Sequence, residues 1–446
     1  MHIVIIGNGI AGITAARYLR MQSDDDITII SAETTHFFSR CALMYLYMGH
    51  MRYEDVKPYE DHFWEKNNLN LVQDFVIKIE TEKKQVILQN NPEIRYDKLL
   101  IATGSKSNIL KVPGIELKGV QGLYSIQDLQ SMVEHTKNIK KAVVVGGGLI
   151  GIEMCEMLRS QKIEVTFLVR ENNYFDLSLP ETESQMLHHH IREHHVDLRL
   201  ETELREMRGN NGRVSSVITS SGEEIPCDFV GITVGVSPNI ELIKDSEIQC
   251  KKGVLINEFM QTNVADVYAA GDCAEFIAPP AGRNAIESFW YTGKMQGKGA
   301  AFNILNLQKP YDPGVYFNSA KFFDIEYQVY GLVPNQSNDE LDSIFWQDKR
   351  LKRSVRIVFD KKSKELKGFN LLGVRYRHQV CHDWISERKH MDFVMENLPA
   401  ANFDPEFSHR PEPDIVKIYN DKFNSQIKLK SRRRVWDIIF KRALNE

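Results

Sequence analysis

The chain has 446 residues, of which 42% are hydrophobic and 26% are charged, so it is long enough for two or three domains and too apolar for a disordered protein. Its net charge of −4 gives no general reason to expect nucleic-acid binding. No apolar run approaches the roughly 18 residues of a membrane-spanning helix, and no secretory signal follows Met1. We therefore expect no transmembrane segment, and the six scattered cysteines, which lack a CxxC pair, suit a cytoplasmic protein.

The first predicted element is a buried parallel strand that begins at His2 and ends in a glycine turn. The turn reads GNGIAG, and a segment with the composition of a helix follows it. Gly7 allows the tight turn, Gly9 lets backbone approach a pyrophosphate, and Gly12 lets the helix pack on the strand. Because a helix N-terminus attracts phosphate, the stretch predicts a dinucleotide site.

The second predicted strand begins at Ile27 and leads to Glu33, about 20 residues past the last motif glycine. A carboxylate at the tip of this strand accepts a hydrogen bond from a ribose hydroxyl in dinucleotide-binding domains. The alternative is a solvated loop carboxylate. The glycines and the acid occur together, which favours the ribose role.

The same unit occurs a second time. Residues 143–153 repeat the strand, turn and helix with Gly146, Gly148 and Gly151, and Val165 to Glu171 parallels the strand that leads to Glu33. Two nucleotide sites in one chain imply two different nucleotides that face one another. Redox chemistry between a flavin and a nicotinamide is the usual reason for such a pair.

The segments around the second unit suggest one domain that is entered, interrupted and resumed. A predicted apolar strand ends at Thr103 and Gly104. A similar sequence at residues 229–239 ends the second nucleotide-binding unit. A short predicted strand then leads to Gly271 and Asp272, where we predict that a new helix begins. From about residue 311, stretches at 314–317, 354–359 and 366–373 read as an antiparallel sheet, with helical segments after them.

The ordered motifs GNGIAG, LLIATGS, GGGLIGIE, TVGVSPN and YAAGDCAE resemble those of the two-dinucleotide-domain flavoproteins of the pyridine nucleotide-disulfide oxidoreductase superfamily. The stretch Ala285 to Gly297 is similar to a helix that the ferredoxin, rubredoxin and nitrite reductase-type members place beside the isoalloxazine. The resemblance implies an α/β fold with two Rossmann-like domains and a C-terminal α+β interface domain. Its implied boundaries are 1–115 with 240–310 for FAD, 116–239 for NAD(P) and 311–446 for the interface domain.

The resemblance also implies the cofactors, FAD with NADH or NADPH, and the residues that hold them. The expected FAD-binding residues are Gly7, Gly9, Gly12, Glu33, Arg40, Thr103, Gly104, Gly271, Asp272 and Glu287. The expected nicotinamide-nucleotide residues are Gly146, Gly148, Gly151 and Glu171, with Glu153 near the nicotinamide ring as a catalytic residue.

Several of these residues also have plainer interpretations. Asp272 is expected on the ribityl chain, or it is a plain N-cap. Arg40 either neutralises a cofactor phosphate or makes a surface salt bridge. Glu287 and Trp290 either line the flavin edge or belong to the core. Arg170 would pair a 2′-phosphate whereas Glu171 would accept a bond from a free 2′-hydroxyl, and we favour NADH.

The expected activity is hydride transfer from nicotinamide to flavin, after which electrons leave to an electron-carrier protein or a small acceptor. As an alternative, Cys41 near a helix start has a lowered pKa and acts as the nucleophile of an NADH oxidase, peroxidase or CoA-disulfide reductase. The sequence departs from those branches because Arg40 precedes the cysteine and no glycine follows it. A non-enzymatic FAD-bound signalling or scaffold protein is an alternative of another class. The resemblance implies a homodimer.

Two further features remain. Five histidines at 188–190, 194 and 195 have metal-like i, i+4 spacing, but no carboxylate or cysteine completes a pattern, so we predict an exposed helix face and no metal. Residues 427–446 hold seven basic and two acidic residues. Trp436, Ile439, Phe440 and Ala443 would form an apolar face there. This basic tail is a candidate docking helix for an acidic electron carrier, a peripheral membrane contact, or a helix packed on its own domain.

Overall fold

The computed structural model describes residues 1–176, 178–403 and 410–430. The strands are β1 (His2–Ile6), β2 (Asp26–Ser31), β3 (Leu69–Gln73), β4 (Val76–Glu80), β5 (Gln85–Leu88), β6 (Ile94–Arg95), β7 (Lys98–Ile101), β8 (Ser105–Ser107), β9 (Val120–Gln121), β10 (Lys141–Val145), β11 (Glu164–Leu168), β12 (Val196–Arg199), β13 (Leu204–Asn210), β14 (Arg213–Thr219), β15 (Glu224–Pro226), β16 (Phe229–Ile232), β17 (Val236–Pro238), β18 (Val254–Ile256), β19 (Val267–Ala269), β20 (Ala274–Phe276), β21 (Phe317–Phe322), β22 (Ile325–Gly331), β23 (Leu341–Gln347), β24 (Ser354–Asp360) and β25 (Leu366–Leu372).

The α-helices are α1 (Ile10–Arg20), α2 (Leu43–Tyr47), α3 (His62–Lys66), α4 (Ile126–His135), α5 (Leu149–Ser160), α6 (Glu181–Glu193), α7 (Trp290–Ile304), α8 (His378–Ser386), α9 (Met391–Asn397) and α10 (Glu412–Phe423). The chain divides into two compact units. The first comprises Met1–Arg170 and His195–Pro313, and the second comprises Glu171–His194 and Gly314–Glu446.

The first unit contains two five-stranded sheets whose paired strands are all parallel. The strand orders are β19-β7-β1-β2-β3 and β12-β11-β10-β16-β9. Strand β1 reads Ile-Val-Ile-Ile after His2 and is almost fully buried, as a central parallel strand must be. The predicted α/β fold with Rossmann-like sheets is therefore confirmed.

The chain returns to the first sheet after it has built the second. Strand β19 pairs in parallel with β7, whose other neighbour is β1. Three-stranded antiparallel sheets, β4-β5-β6 and β13-β14-β15, accompany the parallel ones. Both parallel sheets lie in the first unit, so the predicted boundary between an FAD-binding and an NAD(P)-binding domain stays a prediction.

The second unit is built on an antiparallel sheet in the order β21-β22-β25-β24-β23. The predicted strand at 314–317 begins only at Phe317, whereas those near 354–359 and 366–373 are present. Helix α6 belongs to this unit because Glu183 is fully buried and accepts hydrogen bonds from Arg356 at 2.6 and 2.8 Å. Tyr174 adds an edge-on ring contact with Phe322.

Candidate functional site

The turn between β1 and α1 has the geometry that its glycines predict. Gly7 has a φ of +113°, and a Cβ there would lie 2.1 Å from the carbonyl oxygen of Ala102. A Cβ on Gly12 would lie 2.0 Å from the carbonyl oxygen of Gly7, so only glycine lets α1 approach β1 this closely. Gly9 is the N-cap of α1, and a Cβ there would contact nothing within 4 Å. The N-terminus of α1 therefore has open space beside Gly9, which suits the approach of an anion.

The turn between β10 and α5 repeats each of these contacts. Gly146 has a φ of +117°, and its Cβ would lie 2.4 Å from the carbonyl oxygen of Thr233. A Cβ on Gly151 would lie 2.3 Å from the carbonyl oxygen of Gly146, and one on the N-cap residue Gly148 would contact nothing within 4 Å. The sequence repeat is thus a repeat of the same cradle.

The two acids that follow the second strands occupy matching positions. His2 pairs with Asp26 and Lys141 with Glu164 in the parallel registers of β1–β2 and β10–β11. Glu33 follows Asp26 by the same number of residues as Glu171 follows Glu164. The strand predicted to run to Glu171 ends earlier, at Leu168, so Arg170 and Glu171 lie beyond it.

Glu33 is held by a two-point ion pair with Arg40. The Nη1 and Nη2 atoms of Arg40 donate to Oε1 and Oε2 of Glu33 at 3.0 and 2.5 Å. The backbone N–H of Ile126, the first residue of α4, donates to Oε1 of Glu33 at 2.8 Å. Both side chains are partly buried, so Arg40 makes the salt bridge of the plainer interpretation in a partly buried position, and its contact with a cofactor phosphate stays a prediction.

The environment of Asp272 differs from the prediction. Gly271 and Asp272 lie in a turn, closed by the N–H of Ala274 donating to the carbonyl of Gly271, and strand β20 follows. No helix begins here, so the predicted helix start and the N-cap interpretation are both wrong. Burial raises the pKa of Asp272, whose Oδ2 accepts a 3.0 Å hydrogen bond from the hydroxyl of Ser105.

Tyr124 and Ser105 connect Asp272 with the Glu33–Arg40 pair, and the sequence did not reveal them. The Ser105 N–H donates to the phenol oxygen of Tyr124 at 2.9 Å. The Arg40 guanidinium carbon lies 4.4 Å from the centre of the Tyr124 ring. The only sequence signal near Tyr124 is the Ser125 N-cap of α4, which says nothing about where the phenol points. A continuous polar cluster results.

Thr103 and Gly104 tie the two similar connections together. The hydroxyl of Thr103 donates to the carbonyl of Asn239 at 2.7 Å, and the Asn239 N–H donates to the carbonyl of Gly104 at 2.9 Å. Gly104 has a φ of +69°, and a Cβ there would lie 2.9 Å from the Tyr124 hydroxyl. These residues therefore position the polar cluster through the backbone.

Cys41 lies in the 3-10 turn Arg40–Ala42, which leads into α2, so its position near a helix start is as predicted. Part of the residue is exposed to solvent. Desolvation by the surrounding protein and the nearby carboxylate of Glu153 raise the pKa of the thiol to about 11. The expected lowered pKa is therefore wrong, and Cys41 is a protonated thiol at neutral pH. Glu153 of α5 is thus near enough to Cys41 to act on the pKa of its thiol.

Glu287 is buried in an ion pair with Arg283, a residue that the sequence reading missed. The Nε and Nη2 atoms of Arg283 donate to Oε1 and Oε2 of Glu287 at 2.7 and 2.5 Å. The hydroxyl of Thr292 adds a 3.1 Å hydrogen bond to Oε2. The spacing of four residues between Arg283 and Glu287 is a weak signal, because no helix spans them.

Helix α7 begins at Trp290, so the helix predicted from Ala285 starts later than expected. Trp290 is half-buried and is not a core residue. A Cβ on Gly297 would lie 2.2 Å from the carbonyl oxygen of Ala11, which shows how closely α7 crosses α1. The Gly271 N–H donates to the side-chain oxygen of Gln296 at 2.8 Å. Helix α7 therefore supports both the first glycine turn and the turn that holds Asp272.

Residues 1–297 match the family model described as Pyridine nucleotide-disulphide oxidoreductase. The chain belongs to this family. It is 33% identical over 276 residues to a nitrite reductase [NAD(P)H] of Bacillus subtilis, which covers 61% of this chain and 34% of that protein. It is 31% identical over 348 residues to an NAD(P)H coenzyme A polysulfide/persulfide reductase of Pyrococcus horikoshii, which covers 76% of this chain and 77% of that protein. The chain thus spans about a third of the length of the first relative.

A solved structure supports the same fold. The NADH:rubredoxin oxidoreductase of Clostridium acetobutylicum superposes with a TM-score of 0.68 at 25% sequence identity, and the match covers 88% of this chain and 96% of that protein. Members of this family are FAD-dependent NAD(P)H oxidoreductases, which agrees with the paired glycine turns.

The histidine segment of this family member differs from the prediction. His188 and His190 are buried, so the expected exposed helix face is wrong for both residues. The ring of His188 accepts a hydrogen bond from the Tyr174 N–H at 2.9 Å. The carboxylate of Asp324 lies 2.7 Å from His190 and 2.9 Å from His194, so the fold adds to the cluster a carboxylate that is distant in sequence.

Most of the basic tail lies outside the described residues, which end at Lys430. Its predicted apolar face and the interpretations built on it therefore stay predictions. Among the residues that the structure describes, no helix is long and apolar enough to cross a membrane.

Proposed function

We propose that this chain is an FAD-dependent NAD(P)H oxidoreductase that accepts hydride from a nicotinamide nucleotide and passes the electrons to an acceptor. The doubled cradle carries the proposal: Gly7 and Gly146 turn in the same way, and Gly12 and Gly151 allow the same helix approach. Two such cradles in one unit suit two nucleotides whose reactive rings meet. The match spans only about a third of the length of the first relatives, so their electron acceptors do not carry over directly and the acceptor is itself proposed.

We assign FAD to the first cradle. Gly9 and the N-terminus of α1 would receive the pyrophosphate, and Glu33 would accept a ribose hydroxyl. Asp272 and Glu287 would face the ribityl chain and the ring edge, with Arg40, Thr103, Gly104 and Gly271 as supporting residues and Trp290 beside the ring. When bound, FAD supplies a two-electron acceptor that can release its electrons one at a time. The chain's own residues would hold it in place.

We assign the nicotinamide nucleotide to the second cradle, at Gly146, Gly148 and Gly151. Glu153 lies in the second turn of α5 and close to Cys41, which suits a group that positions the nicotinamide ring. Glu171 follows the start of its strand at the same spacing as Glu33 and would accept a hydrogen bond from a 2′-hydroxyl, so we propose NADH over NADPH. The ratio of kcat/KM values for NADH and NADPH tests this preference. Glu171→Gln should lower it and Arg170→Gln should raise it.

We propose that the electrons leave to a carrier protein or a small inorganic acceptor. Two of the similar proteins bear names that state such acceptors, rubredoxin and nitrite. The raised pKa of Cys41 disfavours a thiolate nucleophile at neutral pH. Reoxidation of the NADH-reduced protein with rubredoxin, ferredoxin, nitrite, quinone and oxygen identifies the acceptor. Slow turnover with all of them would instead favour a flavin-bound signalling or scaffold role.

A thiol-dependent reductase is the second candidate. The relative from Pyrococcus horikoshii aligns over 348 residues and is named a coenzyme A polysulfide/persulfide reductase. Cys41 is exposed and lies near Glu153, which we place beside the nicotinamide. Cys41→Ser tests this candidate: loss of CoA-disulfide or persulfide turnover supports it, and undiminished turnover on every active acceptor rejects it. A homodimer also belongs to the proposal, and light scattering of the purified chain tests it.

A further inference from the structure

Three metal-ligating side chains meet in the second unit, away from both glycine cradles in the sequence. His190 lies in the last turn of α6, and His194 is the C-cap residue of that helix. Asp324 lies in the tight turn between β21 and β22. Phe322 and Ile325 are the last paired residues on either side of this turn. The Oδ1 atom of Asp324 is 2.7 Å from Nε2 of His190 and 2.9 Å from Nε2 of His194.

The Nε2 atom of His190 has an unusual environment. His190 is fully buried, and among the described residues this atom has no hydrogen-bond partner of good geometry, although Oδ1 of Asp324 is close. A buried polar atom without a partner is costly. A cation between the imidazoles and the carboxylate would satisfy His190 Nε2 and both neighbouring ligand atoms at once.

The spacing of the three groups suits a divalent transition metal. In a tetrahedral site, Zn–N and Zn–O bonds of about 2.0–2.2 Å place neighbouring ligand atoms roughly 3.3–3.6 Å apart, so Asp324 must move away from each imidazole by less than about 1 Å. Two imidazoles and one carboxylate on one face form a ligand set known for such metals. Asp324 is 66% exposed, which leaves room for water ligands on the outer side.

A second layer of charges can orient His190. Lys352 Nζ lies 2.9 Å from Nδ1 of His190 and 2.5 Å from Oε2 of Glu193. Metal binding at Nε2 requires the ring proton on Nδ1, where Lys352 now donates. Glu193 Oε2 is 3.6 Å from that nitrogen and can accept the proton's hydrogen bond once Lys352 shifts toward the carboxylate. The result is the carboxylate–histidine–metal arrangement that orients many metal ligands.

We propose that His190, His194 and Asp324 form a binding site for a divalent transition-metal ion, with Zn²⁺ as the ion that suits these ligands. The ion joins the end of α6 to the turn between β21 and β22. None of the three residues belongs to the dinucleotide motifs, so the metal site can be tested independently of the proposed redox function.

Zn²⁺ titration of the full-length, tag-free, FAD-loaded protein after treatment with a chelator tests the proposal. We expect one Zn²⁺ per chain at this site, and Co²⁺ in its place should give visible d–d absorption bands. Asp324→Asn and His194→Gln should each weaken Zn²⁺ binding by more than about 10-fold, and Glu193→Gln should weaken it less. Zn²⁺ should raise the melting temperature of the wild type but not that of Asp324→Asn.

His189→Gln is the matched control, because His189 is a solvent-exposed neighbour on α6 that pairs with Glu193 instead of Asp324. It should keep the wild-type stoichiometry and affinity. Asp324 is exposed in a turn, so Asp324→Asn should fold, and circular dichroism verifies this. Equal Zn²⁺ binding by the wild type and Asp324→Asn would overturn the proposal, as would an equal loss in His189→Gln and His194→Gln.

Discussion

Arg40 donates hydrogen bonds from Nη1 and Nη2 to the two carboxylate oxygens of Glu33, at 3.0 and 2.5 Å. The pair joins the residue expected at a ribose hydroxyl to the 3-10 turn that contains Cys41, and Arg40 reaches Tyr124 as well. A two-point guanidinium–carboxylate pair fixes the carboxylate more firmly than a single ammonium can. Arg40 therefore orients Glu33 before any nucleotide arrives.

Replacement of Arg40 by Lys should weaken FAD binding. Lysine keeps the charge but cannot make the two-point contact, so we expect a loss of about 1–3 kcal/mol, or roughly 5-fold to 150-fold in the Kd for FAD. Fluorescence of released FAD during equilibrium dilution measures the Kd. Arg52→Lys is the control, because Arg52 is exposed and pairs only with Asp55 among the described residues. Unchanged FAD affinity in Arg40→Lys would contradict the positioning role.

Alanine at the third glycine of each cradle should separate the two nucleotide sites. The new Cβ of Gly12→Ala or Gly151→Ala would lie 2.0 or 2.3 Å from a carbonyl oxygen, so each helix must shift. Gly12→Ala should purify without FAD. Gly151→Ala should keep FAD yet lose reduction by NADH. Absorption at 450 nm measures both.

Gly299→Ala is the matched control for these variants. Gly299 lies inside α7, and its Cβ would make only an ordinary 3.4 Å contact with the Tyr311 ring. Alanine there should keep both functions and stabilise the helix by up to about 1 kcal/mol. If Gly12→Ala retained full FAD and Gly151→Ala lost it, the assignment of the two cradles would be reversed.

Cys41 should react slowly with iodoacetamide at neutral pH. Its pKa is raised to about 11, so the thiolate fraction is small at pH 7 and keeps rising with pH beyond the usual thiol range. The alkylation rate at Cys41, followed by mass spectrometry from pH 6 to about 9.5, should increase without a plateau. A plateau near pH 7 would mean a lowered pKa and would favour the thiol-dependent alternative.

Glu287→Gln should destabilise the protein. The substitution weakens a mostly buried ion pair with Arg283 and removes a charge from a site that Thr292 also contacts. Breaking such a pair costs about 3–5 kcal/mol in the free energy of unfolding. Denaturant unfolding measures the loss. Asp55→Asn, which breaks an exposed pair with Arg52, should change the unfolding free energy little.

The glycine turns could be predicted from sequence because their geometry is local. A Cβ on Gly12 or Gly151 would meet a carbonyl oxygen of its own strand–turn–helix unit, and Gly7 and Gly146 have the positive φ that the turn requires. The repeated motif makes the interpretation specific. The parallel sheets follow because buried β-branched strands alternate with helices.

Other parts of the site depend on residues that are distant in sequence. Asp324 meets His190 only because an antiparallel hairpin of the second unit brings it there. The raised pKa of Cys41 depends on desolvation by the surrounding protein and on Glu153 from another element, whereas the sequence shows only a cysteine near a helix start. The turn at Asp272 resembles a helix start in composition, but Ala274 instead begins strand β20, which pairs with β18. Local patterns carry no information about such partners.

Anaerobic mixing of the purified, FAD-loaded protein with NADH tests the two-nucleotide relay most directly. The proposed function predicts that flavin absorption near 450 nm bleaches in a single turnover, faster with NADH than with NADPH, and returns when an acceptor is added. A protein that binds no FAD on reconstitution, or whose bound FAD is reduced by neither nucleotide, would contradict it.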